Sequence, residues 1–162
     1  MKRILSLALL LSLLVVFPAS METDAFTSAS VKDHYEDFAL TGDDLLKAVN
    51  SFSGFYLVST TNPDGSPNAG YFIYGLKELN GKFYVQLVLA ENQSKQNLLR
   101  DGRGVAVYAA TPGTGAEDKP YAVAGARLVF NIIEDEALIK ELAGDSKTIP
   151  LFGEVTALLP LG

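Results

Sequence analysis

The stretch QLVLAENQSKQNLLRDGR, residues 86–103, predicts a strand, a polar loop and a helix in direct succession. Its first five residues are mostly apolar, as in a strand that is covered on both faces. A polar loop follows, and a pair of leucines then gives the next helix a buried side. Ser94 is the expected N-cap of that helix, because its hydroxyl can accept a hydrogen bond from a free backbone N–H of the first turn. Gly102 is placed to end the helix in a left-handed conformation.

The start of this helix also has the chemistry of an anion site. Free backbone N–H groups, the Ser94 hydroxyl and the Lys95 ammonium group are the contacts that a phosphate needs. The same residues suit an ordinary capped helix beside a solvated loop, so the residues alone leave both interpretations open.

Two tight turns divide the preceding part of the chain into strands. Residues 62–65, NPDG, give a strong turn signal because Pro presets φ and Gly accepts a positive φ. Residues 80–81, NG, suit a type I′ hairpin. Behind a short amphipathic helix over residues 43–52, the pattern predicts a meander of two hairpins with strands at 55–60, 68–76 and 82–90.

The chain after residue 103 continues in short elements. Strands are expected at 104–110, 121–131 and 155–159, a loop at 111–119, and a helix over 134–143 that Gly144 ends. The predicted fold is mainly β, a six-stranded antiparallel barrel with short helices, because closing such a sheet removes its edges.

The N-terminal segment predicts export. Residues 1–20 are expected to be a secretory signal peptide, since Lys2 and Arg3 precede an apolar run of about 14 residues that is short for a membrane span. The sequence also allows cleavage after Ala25 or retention of the segment as an uncleaved anchor. Residues 21–40 are expected to be a flexible acidic leader and residues 41–162 the folded domain. Export would place the protein in the periplasm or outside the cell, with no membrane contact beyond the signal peptide.

Charge and composition argue against several classes of function. Loss of residues 1–20 removes two of the 13 basic residues and none of the 19 acidic ones, which leaves a net charge of about −8. Nucleic acid and anionic membranes are therefore not expected as partners. The sequence has no cysteine and a single histidine, His34, in the leader, so neither a metal site nor a Ser–His–Asp triad is expected.

The order of these motifs resembles the pyridoxamine 5′-phosphate oxidase-like family of FMN-binding split barrels. The resemblance covers roughly residues 45–130. It rests on DGSP at 64–67, SK at 94–95, NLLRDGR at 97–103 and, approximately, GAR at 125–127.

The resemblance implies a split barrel that forms a homodimer and binds FMN. The cofactor-binding residues carried over are Ser94 and Lys95 for the phosphate, and Asn68, Tyr71, Asn92 and Gln93 around the rest of the flavin. The implied function is that of an exported flavin-dependent oxidoreductase whose catalytic residues and small-molecule substrate are unknown. The alternative is a non-catalytic barrel that binds a flavin, haem or another small ligand, or a structural protein without a cofactor. Residues 154–162 lack the arginine of true pyridoxamine phosphate oxidases, so vitamin B6 chemistry is not expected.

Overall fold

The computed structural model describes residues 36–111, 123–146, 148 and 150–161. The predicted signal peptide, most of the predicted leader with His34, and most of the loop predicted at 111–119 lie outside these residues. Here the chain forms three α-helices and seven strands. In chain order they are α1 (Gly42–Asn50), β1 (Phe55–Thr61), β2 (Pro67–Gly70), β3 (Tyr74–Leu79), β4 (Lys82–Leu87), α2 (Gln93–Asp101), β5 (Arg103–Ala109), β6 (Gly125–Ile132), α3 (Glu136–Ala143) and β7 (Leu151–Leu159).

The seven strands form one antiparallel sheet in the order β2-β1-β5-β6-β7-β4-β3. β2 and β3 are the two ends of this sheet, yet only residues 71–73 separate them in the chain. Such a link spans roughly 14 Å at most. The sheet must therefore curl until its two ends approach each other, and the result is a barrel that is closed by a covalent link instead of a hydrogen-bonded ladder.

This topology corrects the predicted meander. Residues 68–76, predicted as one strand, belong to two strands with different partners, because β2 pairs with β1 and β3 pairs with β4. The fold class is as predicted, but the sheet has seven strands instead of six. The chain turns at Gly70, where a Cβ atom would lie 2.4 Å from the Phe72 ring. Glycine therefore permits a corner that the apolar alternation of the sequence did not reveal.

The barrel interior is filled by side chains that alternate inward along the strands. Tyr56 on β1 packs edge-on against Tyr74 and Tyr108, each with ring centroids 5.2 Å away. The Tyr56 hydroxyl donates to the backbone carbonyl of Val49 at 2.6 Å, which ties α1 to the strands. The fully buried aliphatic side chains around these rings include Leu45, Val58, Leu76, Val85, Leu87, Leu98 and Leu128. Burial of each is worth about 1.5–3 kcal/mol.

A smaller core lies on the outside of the barrel, where α3 packs against β4 and β7. Tyr84, Leu142 and Phe152 are its buried members. The Lys77 ammonium group donates to the Leu142 carbonyl at the end of α3. Asp135 caps the start of this helix by accepting from two backbone N–H groups, so the predicted helix over 134–143 is confirmed with a start two residues later.

The predicted turns and the end of α2 are confirmed. Gly65 has φ of 82° and donates its N–H to the Asn62 carbonyl at 2.9 Å. Asn80 and Gly81 have φ of 54° and 76°, the pair of positive values that a type I′ turn requires. Gly102 ends α2 with φ of 65°.

The last residues of the predicted leader contact the barrel. Ala39 forms a parallel bridge with Gly125, and the Leu40 N–H donates to the Gly125 carbonyl at 2.9 Å. Among the helices of the described ranges, none is long and apolar enough to cross a bilayer.

Candidate functional site

The first turn of α2 is capped by Asn92. This residue has extended backbone angles, and its side-chain Oδ1 accepts the backbone N–H of Lys95 at 2.9 Å. The prediction that Ser94 is the N-cap was wrong, because the helix begins at Gln93 and the Ser94 side chain points to the interior. The sequence offered Asn92 as an equally good cap, since Asn and Ser have similar N-cap preferences.

Asn97 on α2 is the centre of a buried polar network. Its side chain is fully buried. The amide Nδ2 donates to Thr60 Oγ1 and to Asn62 Oδ1, both at 3.0 Å. The amide Oδ1 accepts from Gln93 Nε2 at 2.8 Å and from Arg100 Nη1 at 3.2 Å. All four hydrogen bonds that an asparagine amide can form are therefore made within the chain, and they fix α2 against the end of β1.

A second set of hydrogen bonds joins β2 to the start of α2. Asn68 Nδ2 lies 2.9 Å from both Thr60 Oγ1 and Ser94 Oγ and donates to each. Ser94 is only 4% exposed. The structure thus brings together Asn68, Asn92, Gln93 and Ser94, four of the six residues predicted to bind the cofactor, and uses their side chains in internal contacts.

The cation predicted for this site already has a partner. Lys95 Nζ forms an ion pair with Glu91, four residues earlier, and the Glu91 side chain is 78% exposed. Arg100, the other cation of α2, pairs with Asp101 and donates to the Thr61 carbonyl. The Arg100 guanidinium lowers the pKa of the Asp101 carboxyl below its usual value, chiefly through their hydrogen bonds. At the start of α2, the formal charges of Lys95 and Glu91 cancel.

A cleft with exposed apolar side chains lies at the start of β3 and the end of β4. Ile73 and Val88 are 51% and 64% exposed, and the antiparallel register that pairs Tyr74 with Leu87 places them opposite each other beyond the β3–β4 ladder. With the exposed ring of Phe52, they line a cleft of about 370 Å³. Ligand cavities commonly span about 300–1,000 Å³.

The floor of the cleft is built by Asn50 at the end of α1. Its side chain donates to the Leu76 carbonyl at 2.8 Å and accepts the Leu76 N–H at 2.9 Å, so it pairs with β3 as another strand would. Phe52, two residues later, has φ of 55°. A bulky residue rarely adopts this left-handed conformation, and here it leaves the ring at the rim of the cleft.

The cleft and the polar region are joined by two short segments. Residues 68–73 lead from Asn68, beside Ser94, to Ile73, and residues 88–92 lead from Val88 to the cap of α2. Tyr71, the sixth predicted residue, lies on the first segment and is 61% exposed. An amphiphilic ligand could therefore lay a planar apolar part on Tyr71, Ile73 and Val88 and a polar part toward α2.

The site fits the flavin ring of FMN better than it fits the phosphate. The exposed aromatic and aliphatic side chains suit the flavin ring, and the polar side chains near α2 suit the ribityl hydroxyls. The phosphate carries nearly two negative charges and needs cationic compensation, which the Lys95–Glu91 pair does not supply. The sequence did not identify Phe52, Ile73 and Val88 as site residues, because the type of an apolar residue does not show whether its side chain is exposed or buried.

The described residues contain no group of three or more acidic, His or Cys side chains that could hold a metal ion.

Comparison with known proteins finds similarity in structure alone. No protein-family model matches the sequence, and no curated protein matches it significantly. An FMN-binding protein of Syntrophomonas wolfei superposes with a TM-score of 0.52 at 12% identity, over 83% of this chain and 93% of that protein. A pyridoxamine 5′-phosphate oxidase-like protein of Lactobacillus delbrueckii gives 0.48 at 17% identity, over 75% and 91%. The haem storage protein HutZ of Vibrio cholerae gives 0.44 at 13% identity, over 70% and 91%.

Similarity at this level of identity shows the fold and not the function. The superposition on the Syntrophomonas wolfei protein spans most of both chains, and the strand order given above is that of a sheet curled into a barrel. The chain is therefore a mainly-β protein whose fold resembles the pyridoxamine 5′-phosphate oxidase-like split barrel.

Proposed function

We propose that this chain is an exported flavin-binding protein, and that the bound flavin makes it an oxidoreductase. One observation supports this most directly. The exposed side chains of Tyr71, Ile73 and Val88 lie on the two short segments that lead to the polar start of α2, in a fold that an FMN-binding protein shares. A flavin supplies reversible hydride and electron transfer when it is bound. The contribution of this chain is to bind the ring, orient it and exclude water from one of its faces.

The cleft suits a flavin, which needs no axial ligand. Haem iron is usually held by an axial His, Cys, Met or Tyr. Of these, the described residues at the cleft offer tyrosine, as Tyr74 in the lining, whose hydroxyl is buried, and the exposed Tyr71 beside it. The rest of the lining is mainly aromatic, aliphatic and amide side chains, with one lysine, Lys77, and it suits a ring that is recognised by stacking and hydrogen bonds.

Flavin binding is tested by titrating the purified protein with riboflavin and FMN and following the quenching of flavin fluorescence. The variant Val88→Asp puts a charge in the cleft, so we expect it to weaken binding by about tenfold or more, a change of about 1.4 kcal/mol. Leu99→Asp is the matched control, because Leu99 is 58% exposed on α2 and does not line the cleft. The proposal fails if neither flavin binds the unmodified protein, or if both variants bind as it does.

Oxidoreductase activity is a separate part of the proposal. The flavin-loaded protein is mixed with NADH or NADPH under anaerobic conditions, and bleaching of the flavin absorbance is followed. Reduction by either donor supports the enzyme. A flavin that binds tightly and is reduced by neither nicotinamide donor favours the non-catalytic binding protein.

We also propose that the barrel is a homodimer. Leu57, Val107 and Arg127 lie side by side on the outer face of β1, β5 and β6. Leu57 is 39% exposed and Val107 is half-buried. A second copy would cover these apolar side chains. Light scattering of Leu57→Glu should then report a monomer, and Leu99→Glu should keep the mass of the unmodified protein.

A further inference from the structure

We propose that the flavin site selects a flavin without a phosphate, such as riboflavin, over FMN, and that Glu91 sets this preference. The inference rests on the proposed flavin site and concerns only its polar end. It follows from the charges, the burial and the hydrogen bonds of the residues around the first turn of α2.

Glu91 pairs with Lys95, the lysine on the first turn of α2. Its carboxylate pairs with Lys95 Nζ across one helical turn. A phosphate that takes Lys95 as its partner therefore releases Glu91 and leaves this carboxylate next to a dianion. The carboxylate and the phosphate are both negative and would lie close together, so they repel each other. This repulsion offsets the attraction between the phosphate and Lys95.

The remaining donors at this site are few. The Ser94 hydroxyl accepts from Asn68 and is almost completely buried, so its own O–H is not open to a ligand in solvent. The Lys95 N–H is used by the Asn92 cap, and the Asn97 side chain is saturated by internal bonds. Arg100 does not offer a free positive charge to a phosphate, because it pairs with Asp101. The first turn thus offers the partial positive charge of a helix start, which amounts to roughly half an elementary charge.

A neutral sugar alcohol has none of these difficulties. The ribityl hydroxyls of riboflavin both donate and accept, so they can bond to Glu91 and to Lys95 without breaking their ion pair. The site is electrically balanced for a neutral polar group and poorly compensated for a dianion. The chain as a whole is acidic, with a net charge of −6, which adds a longer-range repulsion toward phosphate.

The test compares the dissociation constants of riboflavin and FMN for three proteins: the full chain, its Glu91→Gln variant, and its Glu78→Gln variant. Glu78 is an exposed glutamate on β3 and is the matched control for loss of one negative charge. We expect the unmodified protein to bind riboflavin about fivefold or more tightly than FMN. Glu91→Gln should tighten FMN binding by about three- to tenfold and leave riboflavin within twofold, whereas Glu78→Gln should change neither.

Salt gives a second readout. The affinity for FMN should rise with ionic strength, because salt screens the repulsion, and the affinity for riboflavin should stay constant.

The inference is overturned if the unmodified protein prefers FMN, or if Glu91→Gln changes the affinity for both ligands equally. In either case flavin binding itself, and with it the proposed function, still stands. Binding of neither flavin overturns both.

Discussion

Two tyrosines of the barrel core differ in a single hydrogen bond. Tyr56 and Tyr74 are both 1% exposed and their rings touch. The Tyr56 hydroxyl donates to the Val49 carbonyl, whereas the Tyr74 hydroxyl is buried without a partner. A buried polar group without a hydrogen bond costs about 1–3 kcal/mol, so these two positions form a natural comparison.

Tyr74→Phe should raise the free energy of unfolding by about 1 kcal/mol, because it removes an unsatisfied hydroxyl and keeps the ring. Tyr56→Phe should lower it by about 1 kcal/mol, because it removes the buried hydrogen bond to the Val49 carbonyl, which then keeps the Phe52 N–H as a donor. Urea unfolding of both variants measures the difference. Destabilisation by Tyr74→Phe would mean that its hydroxyl has an acceptor after all.

The residues predicted to bind the cofactor show how far single residues can be interpreted from sequence. Asn68, Asn92, Gln93 and Ser94 were placed in one site by motif order, and they do lie together. Their roles depend on which neighbour each side chain meets. Ser94 points inward because Asn68, 26 positions earlier, provides its donor, and no local pattern in the sequence records that contact.

At the scale of elements, Asn97 holds α2 to β1. Its amide bonds to Thr60 and Asn62 at the end of β1 and to Gln93 and Arg100 on its own helix. Such a network is stable because it is complete, and the loss of its centre leaves several buried polar groups without partners.

Asn97→Ala should therefore lower the free energy of unfolding by about 2–4 kcal/mol, through the lost bonds and the unsatisfied groups that remain. Gln96→Ala is the control, because Gln96 is the preceding residue on α2 and its side chain is exposed. We expect it to change stability by less than about 0.5 kcal/mol. Equal effects in chemical denaturation would argue against a structural role for the network.

The turn residues predicted where the tight turns lie, but the sequence did not predict where every strand begins and ends. The NPDG and NG turns depend on φ preferences within four residues, so they were found where expected. The division of residues 68–76 into β2 and β3 depends on β1 and β4, which lie on either side in the chain and pair with different halves. Alternation of apolar residues continues across the corner, so the pattern alone favoured one long strand.

The whole molecule should lose stability in alkaline solution. Burial raises the pKa of Tyr56 to about 12, and burial also raises the pKa of Tyr74 above its ordinary value. In the unfolded chain both titrate near 10. The unfolded state therefore loses its protons first, so the stabilisation is complete below about pH 10 and declines as the pH rises toward 12.

Thermal unfolding between pH 8 and pH 11.5 measures this decline. The double variant Tyr56→Phe with Tyr74→Phe should lose less stability over the same range, since neither ring can ionise. If the stability of the double variant falls as steeply with pH as that of the unmodified protein, groups other than these two tyrosines cause the loss of stability.

The link at residues 71–73 gives the barrel a seam. Each inner strand is protected by ladders on both sides, whereas β2 and β3 each have one neighbour in the sheet. Hydrogen exchange should therefore begin along the seam, with amides of β2 and β3 exchanging much faster than those of β5 and β6. Since Tyr71 and Ile73 lie on the link, a ligand bound there would act as a clasp, and its arrival would be detectable as slowed exchange in strands that it does not touch.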